Sequence, residues 1–149
     1  HIVARRGTCN RNCVGAVLTF DNRPISIGYN GPPAGEPHCY GQDCQLDSSG
    51  GCTRARHAER NAIDFVVLNR LLSIENFART QLFTTVAPCQ GCAHKIAAAK
   101  IPAVFFQQPY RKPEGLEMLS LAGVGIYRVM PSGVLIEWES GRIIEGGLS

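Results

Sequence analysis

Gln81-Leu82-Phe83-Thr84-Thr85-Val86-Ala87-Pro88-Cys89-Gln90-Gly91-Cys92 is the stretch that decides the fold. Gln81 to Ala87 reads as a strand, and Pro88 opens a helix at a position where its missing N–H costs nothing. That helix runs to about Lys100, where Pro102 stops it, and Ala103 to Gln107 is strand again. Downstream, Pro113 to Ala122 is helical, and short strands over Val124 to Met130 and Val134 to Trp138 flank a turn at Pro131-Ser132-Gly133. Upstream, Val14 to Phe20 and Ile25 to Tyr29 are strands joined through Asp21-Asn22-Arg23-Pro24. His57 to Leu72 carries Ala58, Ala62, Ile63, Val66, Val67 and Leu71 at helical spacing, which packs it against a sheet. Strands alternating with helices at these lengths predict a single α/β layered domain over residues 1–149. Between Asn30 and Arg56 the chain is rich in Gly, Pro, Cys, Asp and Ser, a long loop braced by something other than a core. Gly141 to Ser149 reads as a loose tail.

Bulk properties narrow the function. Of 149 residues, 44% are hydrophobic and 18% charged, the balance of a globular domain rather than a disordered chain. The formal charge of +3 suits an anionic small ligand and lacks the dense basic stripe of a dedicated nucleic-acid binder. There is no apolar run of membrane-spanning length and no secretory signal at the start, so the expected location is cytoplasmic. Seven cysteines, an odd number in a reducing compartment, favour metal ligation over a disulfide framework.

The chemistry lies in two short patterns, His57-Ala58-Glu59 and Pro88-Cys89-Gln90-Gly91-Cys92, each at the start of a predicted helix. Cys89 and Cys92 are one turn apart, so both sulfurs can face one ion, and a helix N-terminus favours their thiolates. His57 supplies a third ligand, and three protein ligands leave the fourth tetrahedral position of a catalytic zinc for water. Such a zinc brings the water pKa towards about 7. Glu59 is free to take a proton from it and to deliver one to the ring nitrogen and the leaving amine. A lone C-x-x-C is as readily a redox or structural pair, and a lone H-x-E is close to noise. Together and in this order they are the signature of zinc deaminases acting on nucleobases.

On these residues the chain resembles the cytidine deaminase superfamily, and within it the deoxycytidylate (dCMP) deaminase branch. Val14-Gly15-Ala16-Val17, Gly28-Tyr29-Asn30-Gly31, His38-Cys39 and His57-Ala58-Glu59-Arg60-Asn61-Ala62-Ile63 carry the second step, and the similarity spans Cys9 to Val129. The resemblance implies a three-layer α/β/α sandwich around a mixed sheet of about five strands. It implies hydrolytic deamination of dCMP, or of a 5-substituted dCMP, to the uracil nucleotide and ammonia. It places Asn30 against the nucleotide near base or sugar, the Ala58 backbone against the pyrimidine carbonyl, and Tyr110 over the substrate. Taken alone, Asn30-Gly31 is a tight-turn pair and Tyr110 a half-exposed aromatic.

The resemblance further implies a second, structural Zn2+ held by Cys9, Cys39, Cys44 and Cys52, with His38 able to replace one of them and Cys13 left over. The competing account is that these are reduced, partly buried thiols. A homo-oligomer, hexamer or dimer, is expected on the same ground. The phosphate of a nucleotide needs cationic donors, and Arg11, Arg54, Arg56, Arg111 and Lys112 are candidates among which the sequence does not choose. Leu68 stands where regulated dCMP deaminases carry an Arg, which puts control by dCTP and dTTP in doubt. Other substrates keep the chemistry: a free nucleoside, another base, or cytosine in a polynucleotide. A non-catalytic zinc-binding module explains the cysteines but not Glu59.

Overall fold

Apolar residues on either side of Asp21-Asn22 fold into a hairpin of β1 (Gly15–Phe20) and β2 (Arg23–Tyr29). Both turn residues have positive φ, 47° and 61°, as in the two-residue turn whose twist matches that of its strands. The computed structural model describes residues 1–9, 11–39, 44–48 and 50–144. After the long loop come α1 (Ala58–Leu68), β3 (Thr80–Val86), α2 (Gln90–Ala98), β4 (Ala103–Gln108), α3 (Glu114–Leu121) and β5 (Gly125–Val129). Two short strands close the described chain, β6 (Leu135–Glu137) and β7 (Ile143–Ile144).

Among the described residues the three α-helices end in the same way. Arg70, Lys100 and Gly123 adopt left-handed φ of 53°, 58° and 73° just beyond the last turn. The next amides, of Leu71, Ile101 and Val124, bond back to the carbonyls of Val66, Ile96 and Leu119. This double closure consumes the carbonyls that a helix end would otherwise leave bare. It corrects two boundaries: α1 stops at Leu68 rather than Leu72, and α2 is closed by Lys100 before Pro102 is reached. Pro88 likewise lies outside its helix, because Cys89 is the extended N-cap residue.

Among the described residues the strands form one seven-stranded mixed sheet, ordered β2-β1-β3-β4-β5-β6-β7. The expectation of about five strands falls short: β6 and β7 extend the sheet antiparallel from β5. Ile143 and Ile144 pair with Ile136 and Leu135, so the expected tail contains a short strand; residues 145–149 lie outside the described residues. β3, β4 and β5 are mutually parallel, whereas β1 is antiparallel to both its neighbours.

The α/β class holds, with a mixed sheet flanked by helices. Ala16, Leu18, Leu82, Val104, Phe106 and Ile126 point from four strands into one core with Ala62, Ile63 and Val66 of α1, Ile96 of α2 and Leu119 of α3. The opposite face bears a stacked row, Phe83 on Phe105 at 4.6 Å and Phe105 on Tyr127 at 5.0 Å. There a 3-10 turn, Val3–Arg6, crosses the sheet with Ala4 close over Gly15, where a Cβ would come within 2.5 Å of the Ala4 nitrogen.

Candidate active site

β3 delivers the chain to the start of α2, and the loop before α1 ends beside it. His57 and Cys89 are the N-cap residues of α1 and α2, with extended backbones (ψ 152° and 168°) and no side-chain bond to their own helix amides. Their side chains turn to each other instead. The His57 Nδ1 lies 3.3 Å from both the Cys89 and the Cys92 sulfurs. These are the one group of three or more metal-ligating atoms within 4.8 Å of one another among the described residues.

Two sulfurs and one imidazole nitrogen are the donor set that tetrahedral zinc prefers. A tetrahedral Zn–S and Zn–N pair spans about 3.6 Å, close to the spacing here. The electrostatics point the same way. Hydrogen bonding by Cys92 and His57, together with the helix start, holds the Cys89 thiol down at about 3 despite its burial. That neighbouring thiolate and burial then push Cys92 up, since the pocket does not favour a second anion on its own. His57 is raised by its bond to Cys89. A divalent cation relieves this conflict, because it accepts both sulfurs as thiolates.

Glu59 lies in the first turn of α1, 4% exposed. Burial raises its carboxyl to about 7, against the opposing pull of its own backbone N–H and of His57. A carboxyl that exchanges its proton near neutrality is suited to general acid–base work.

Close backbone contacts set the site's position. A Cβ on Gly28 would lie 2.0 Å from the Ala58 carbonyl oxygen, so only glycine lets β2 approach the first turn of α1. Ser26 donates to the Ala62 carbonyl at 2.8 Å and Asn61 to the Tyr29 carbonyl at 2.8 Å, pinning α1 along that strand. Gly115 plays the corresponding part for α2, where a Cβ would lie 2.1 Å from the Pro88 carbonyl oxygen. Asp64 on α1 pairs with both Arg56, next to His57, and Lys95 on α2. None of these supports is visible in sequence; Gly28 belongs to a quoted motif, but its role as a contact point needs the fold.

A cavity of about 340 Å³ opens over the donors, and His57, Ala58, Glu59, Cys89, Asn30 and Tyr110 all line it. The side chain of Asn30 is partly engaged: its Oδ1 accepts from the Val14 amide at 2.8 Å and its Nδ2 donates to the Asn12 carbonyl at 2.7 Å. One lone pair and one N–H remain for another partner. Asn30-Gly31 is not a hairpin turn; Gly31 pairs with Arg56 in an isolated bridge. Ala58, fully buried, presents an amide in the first helical turn, where no intrahelical acceptor exists. Tyr110 packs against the core.

Among the cationic candidates, Arg56 is committed to Asp64, and Arg54 donates to the Pro37 carbonyl at 2.7 Å beside Glu36. Arg11 and Arg111 line the cavity, and Lys112 does not.

The loop cysteines are arranged differently. Cys9 and Cys39 face each other in an isolated parallel bridge, and Cys52 pairs with Leu46. Burial raises the Cys39 thiol; Arg54 lowers it, while Cys52, Cys44 and Cys9 lie near enough to raise it further. Cys13 is exposed. All seven cysteines are free thiols.

Comparison with known proteins agrees with this geometry. Residues 1–108 match the sequence profile of the cytidine and deoxycytidylate deaminase zinc-binding region. The chain is 33% identical over 145 residues to ComE operon protein 2 of Bacillus subtilis, covering 94% of this chain and 72% of that protein. It is 36% identical over 113 residues to the deoxycytidylate deaminase of Mycobacterium phage D29, covering 69% and 84%. The crystal structure of dCMP deaminase from the cyanophage S-TIM5, in complex with dCMP and dUMP, superposes with a TM-score of 0.72 at 29% identity, covering 85% and 88%.

Proposed function

Because this chain belongs to the cytidine and deoxycytidylate deaminase family, we propose that it hydrolyses dCMP to dUMP and ammonia. The observation that carries this is the meeting of the His57, Cys89 and Cys92 donors, with His57, Cys89 and the buried Glu59 lining one cavity. Those three residues would hold zinc, which would supply a water activated to a pKa of about 7 as the nucleophile for C4 of the pyrimidine. Glu59 would accept a proton from the attacking water and pass it to the ring nitrogen, then take the second proton from the hydroxyl added at C4 and deliver it to the amine as the C4–N bond breaks and the carbonyl forms. Overall, water and dCMP become dUMP and ammonia.

The Ala58 amide binds the pyrimidine carbonyl, Asn30 the nucleotide near base or sugar, and Tyr110 lies over the substrate. Support comes from their shared place in the cavity wall. The closed floor also leaves Glu59 shielded from bulk water, which strengthens its interaction with developing charge.

The same reading extends to the rest of the molecule. Residues 1–149 act as one deaminase domain, supported by the single core shared by all three helices. A second, structural zinc bound by Cys9, Cys39, Cys44 and Cys52 is supported by the bridge between Cys9 and Cys39 and by the nearness of the other two thiols. A homo-oligomer is supported by the exposed Ile27 on β2 and Phe65 and Leu68 on α1. Seven free thiols support the cytoplasm, and no helix among the described residues is long and apolar enough to cross a membrane.

Ammonia release from zinc-loaded protein offered dCMP, 5-methyl-dCMP, deoxycytidine, CMP and single-stranded DNA tests the proposal. Turnover of dCMP with little from deoxycytidine is expected. Activity confined to deoxycytidine or DNA would remove the nucleotide assignment, and silence on all five with zinc bound would remove the enzyme.

A further inference from the structure

We propose that Asp64 is a positioning residue of the zinc centre: by pairing with Lys95 of α2 and with Arg56, it holds His57 against Cys89 and Cys92 at the spacing zinc needs. The inference rests on the zinc reading of the site and not on dCMP as its substrate. His57 and Asp64 stand two helical turns apart, on one face of α1. Cys92 and Lys95 are neighbours one turn apart on α2. The contact of His57 with Cys92 and the ion pair of Asp64 with Lys95 are therefore successive rungs across one seam. Among the described residues, that second rung is the one ion pair between α1 and α2.

The carboxylate is shared, with Oδ1 on the Lys95 ammonium and Oδ2 on the Arg56 guanidinium. Arg56 precedes His57, and its backbone exchanges two hydrogen bonds with Gly31, at 2.9 Å and 3.2 Å. Gly31 follows Asn30 of the cavity wall, so Asp64 ties the elements carrying His57, Cys92 and Asn30 to one point. Its side chain is 16% exposed, against 56% and 46% for Arg79 and Asp21 on the β1–β2 turn. A sheltered carboxylate between two cations is less screened than a surface pair and fixes their places more firmly. None of Asp64, Arg56 and Lys95 lines the cavity, so the effect must pass through the donors. Donors already spaced for an ion bind it without the cost of gathering them.

The test follows the full chain through a series of buffered free-zinc concentrations and reads the deuterium protection of the opening turns of α1 and α2. That signal belongs to the centre of His57, Cys89 and Cys92 rather than to the loop thiols. Asp64→Asn and Lys95→Met should each raise the zinc midpoint about 10-fold, the scale on which groups behind metal ligands act. Asp64→Glu keeps the carboxylate and should restore most of the affinity. Arg79→Gln, which breaks the ion pair on the β1–β2 turn, should lower the melting temperature and leave the midpoint where it was.

A D64N chain that melts earlier with an unchanged zinc midpoint would overturn the proposal, since Asp64 would then serve the fold alone. A loss in D64E equal to that in D64N would overturn the ion pairs as its cause. The failure of the zinc reading looks different. If the wild-type turns gain no protection from zinc, that reading falls and takes the second rung with it. If the wild type titrates and D64N and K95M match it, only the second rung falls.

Discussion

Cys89 and Cys52 line the same cavity, but the structure holds them by opposite means. Cys89 follows a core strand and caps a helix, and its partner Cys92 is fixed one turn later on that helix. Cys52 belongs to an irregular segment joined to its surroundings by isolated bridges and a few bonds, such as Thr53 to the Gln45 carbonyl. The first pair is already assembled around His57. Among the described residues the loop thiols lie near Cys39 but do not come together as a group of three within 4.8 Å of one another. Ligands placed by a sheet and two helices are set by packing, whereas on the proposed second zinc the loop thiols would have to be gathered, and metal binding would then supply part of the folding energy of that loop.

The largest effect should come from the prebuilt centre. Glu59→Gln should lower kcat about 10²- to 10⁴-fold while metal analysis still finds the catalytic zinc, since Glu59 is not a ligand. Loss of zinc in that variant would contradict the division between ligands and base. Next, Gly28→Ala should destabilise the fold by about 3 kcal/mol in urea denaturation, because its methyl meets the Ala58 carbonyl. A neutral result would show that α1 is not held by this contact, and with it that packing does not set the site.

On the loop side, if the proposed second zinc is bound, Cys39→Ser should lower the zinc content by one per chain and make the segment around Cys52 sensitive to protease, while Cys89 and Cys92 keep theirs. Retention of full metal content would mean that the loop thiols act as buried apolar groups, and the contrast between the two regions would collapse. The smallest effect is expected from Asp64→Asn. It loosens Arg56 and Lys95 from α1, for a cost of about 1 kcal/mol in stability, read by thermal unfolding.

The legibility of the chain follows the same division. His57, Glu59, Cys89 and Cys92 could be read because their spacing repeats the geometry of a helix start, and the strands and helices could be read from periodicity. The helix ends could not. Arg70 and Lys100 take left-handed backbones that usually attract glycine, so no residue preference announced them. β7 was hidden because two isoleucines are too short a run to signal a strand. Which of the five cationic residues line the cavity and which meet a carboxylate was equally closed to sequence reasoning, since both are decided across the fold. Gly28 and Gly115 hid for the same reason: what each avoids is a backbone atom from a distant element.

The two bare helix starts carry one more consequence. His57 and Cys89 occupy the positions where a serine or aspartate would ordinarily tie down the first turn, yet neither bonds to its own helix. Whatever joins their side chains therefore acts as a shared clasp for α1 and α2. Chelation should fray both helices at once, with the opening amides of each becoming labile to deuterium together while Ile63 and Ile96, deep in the core, stay protected. In this molecule the cation's departure would be recorded in the backbone as a single event at two places.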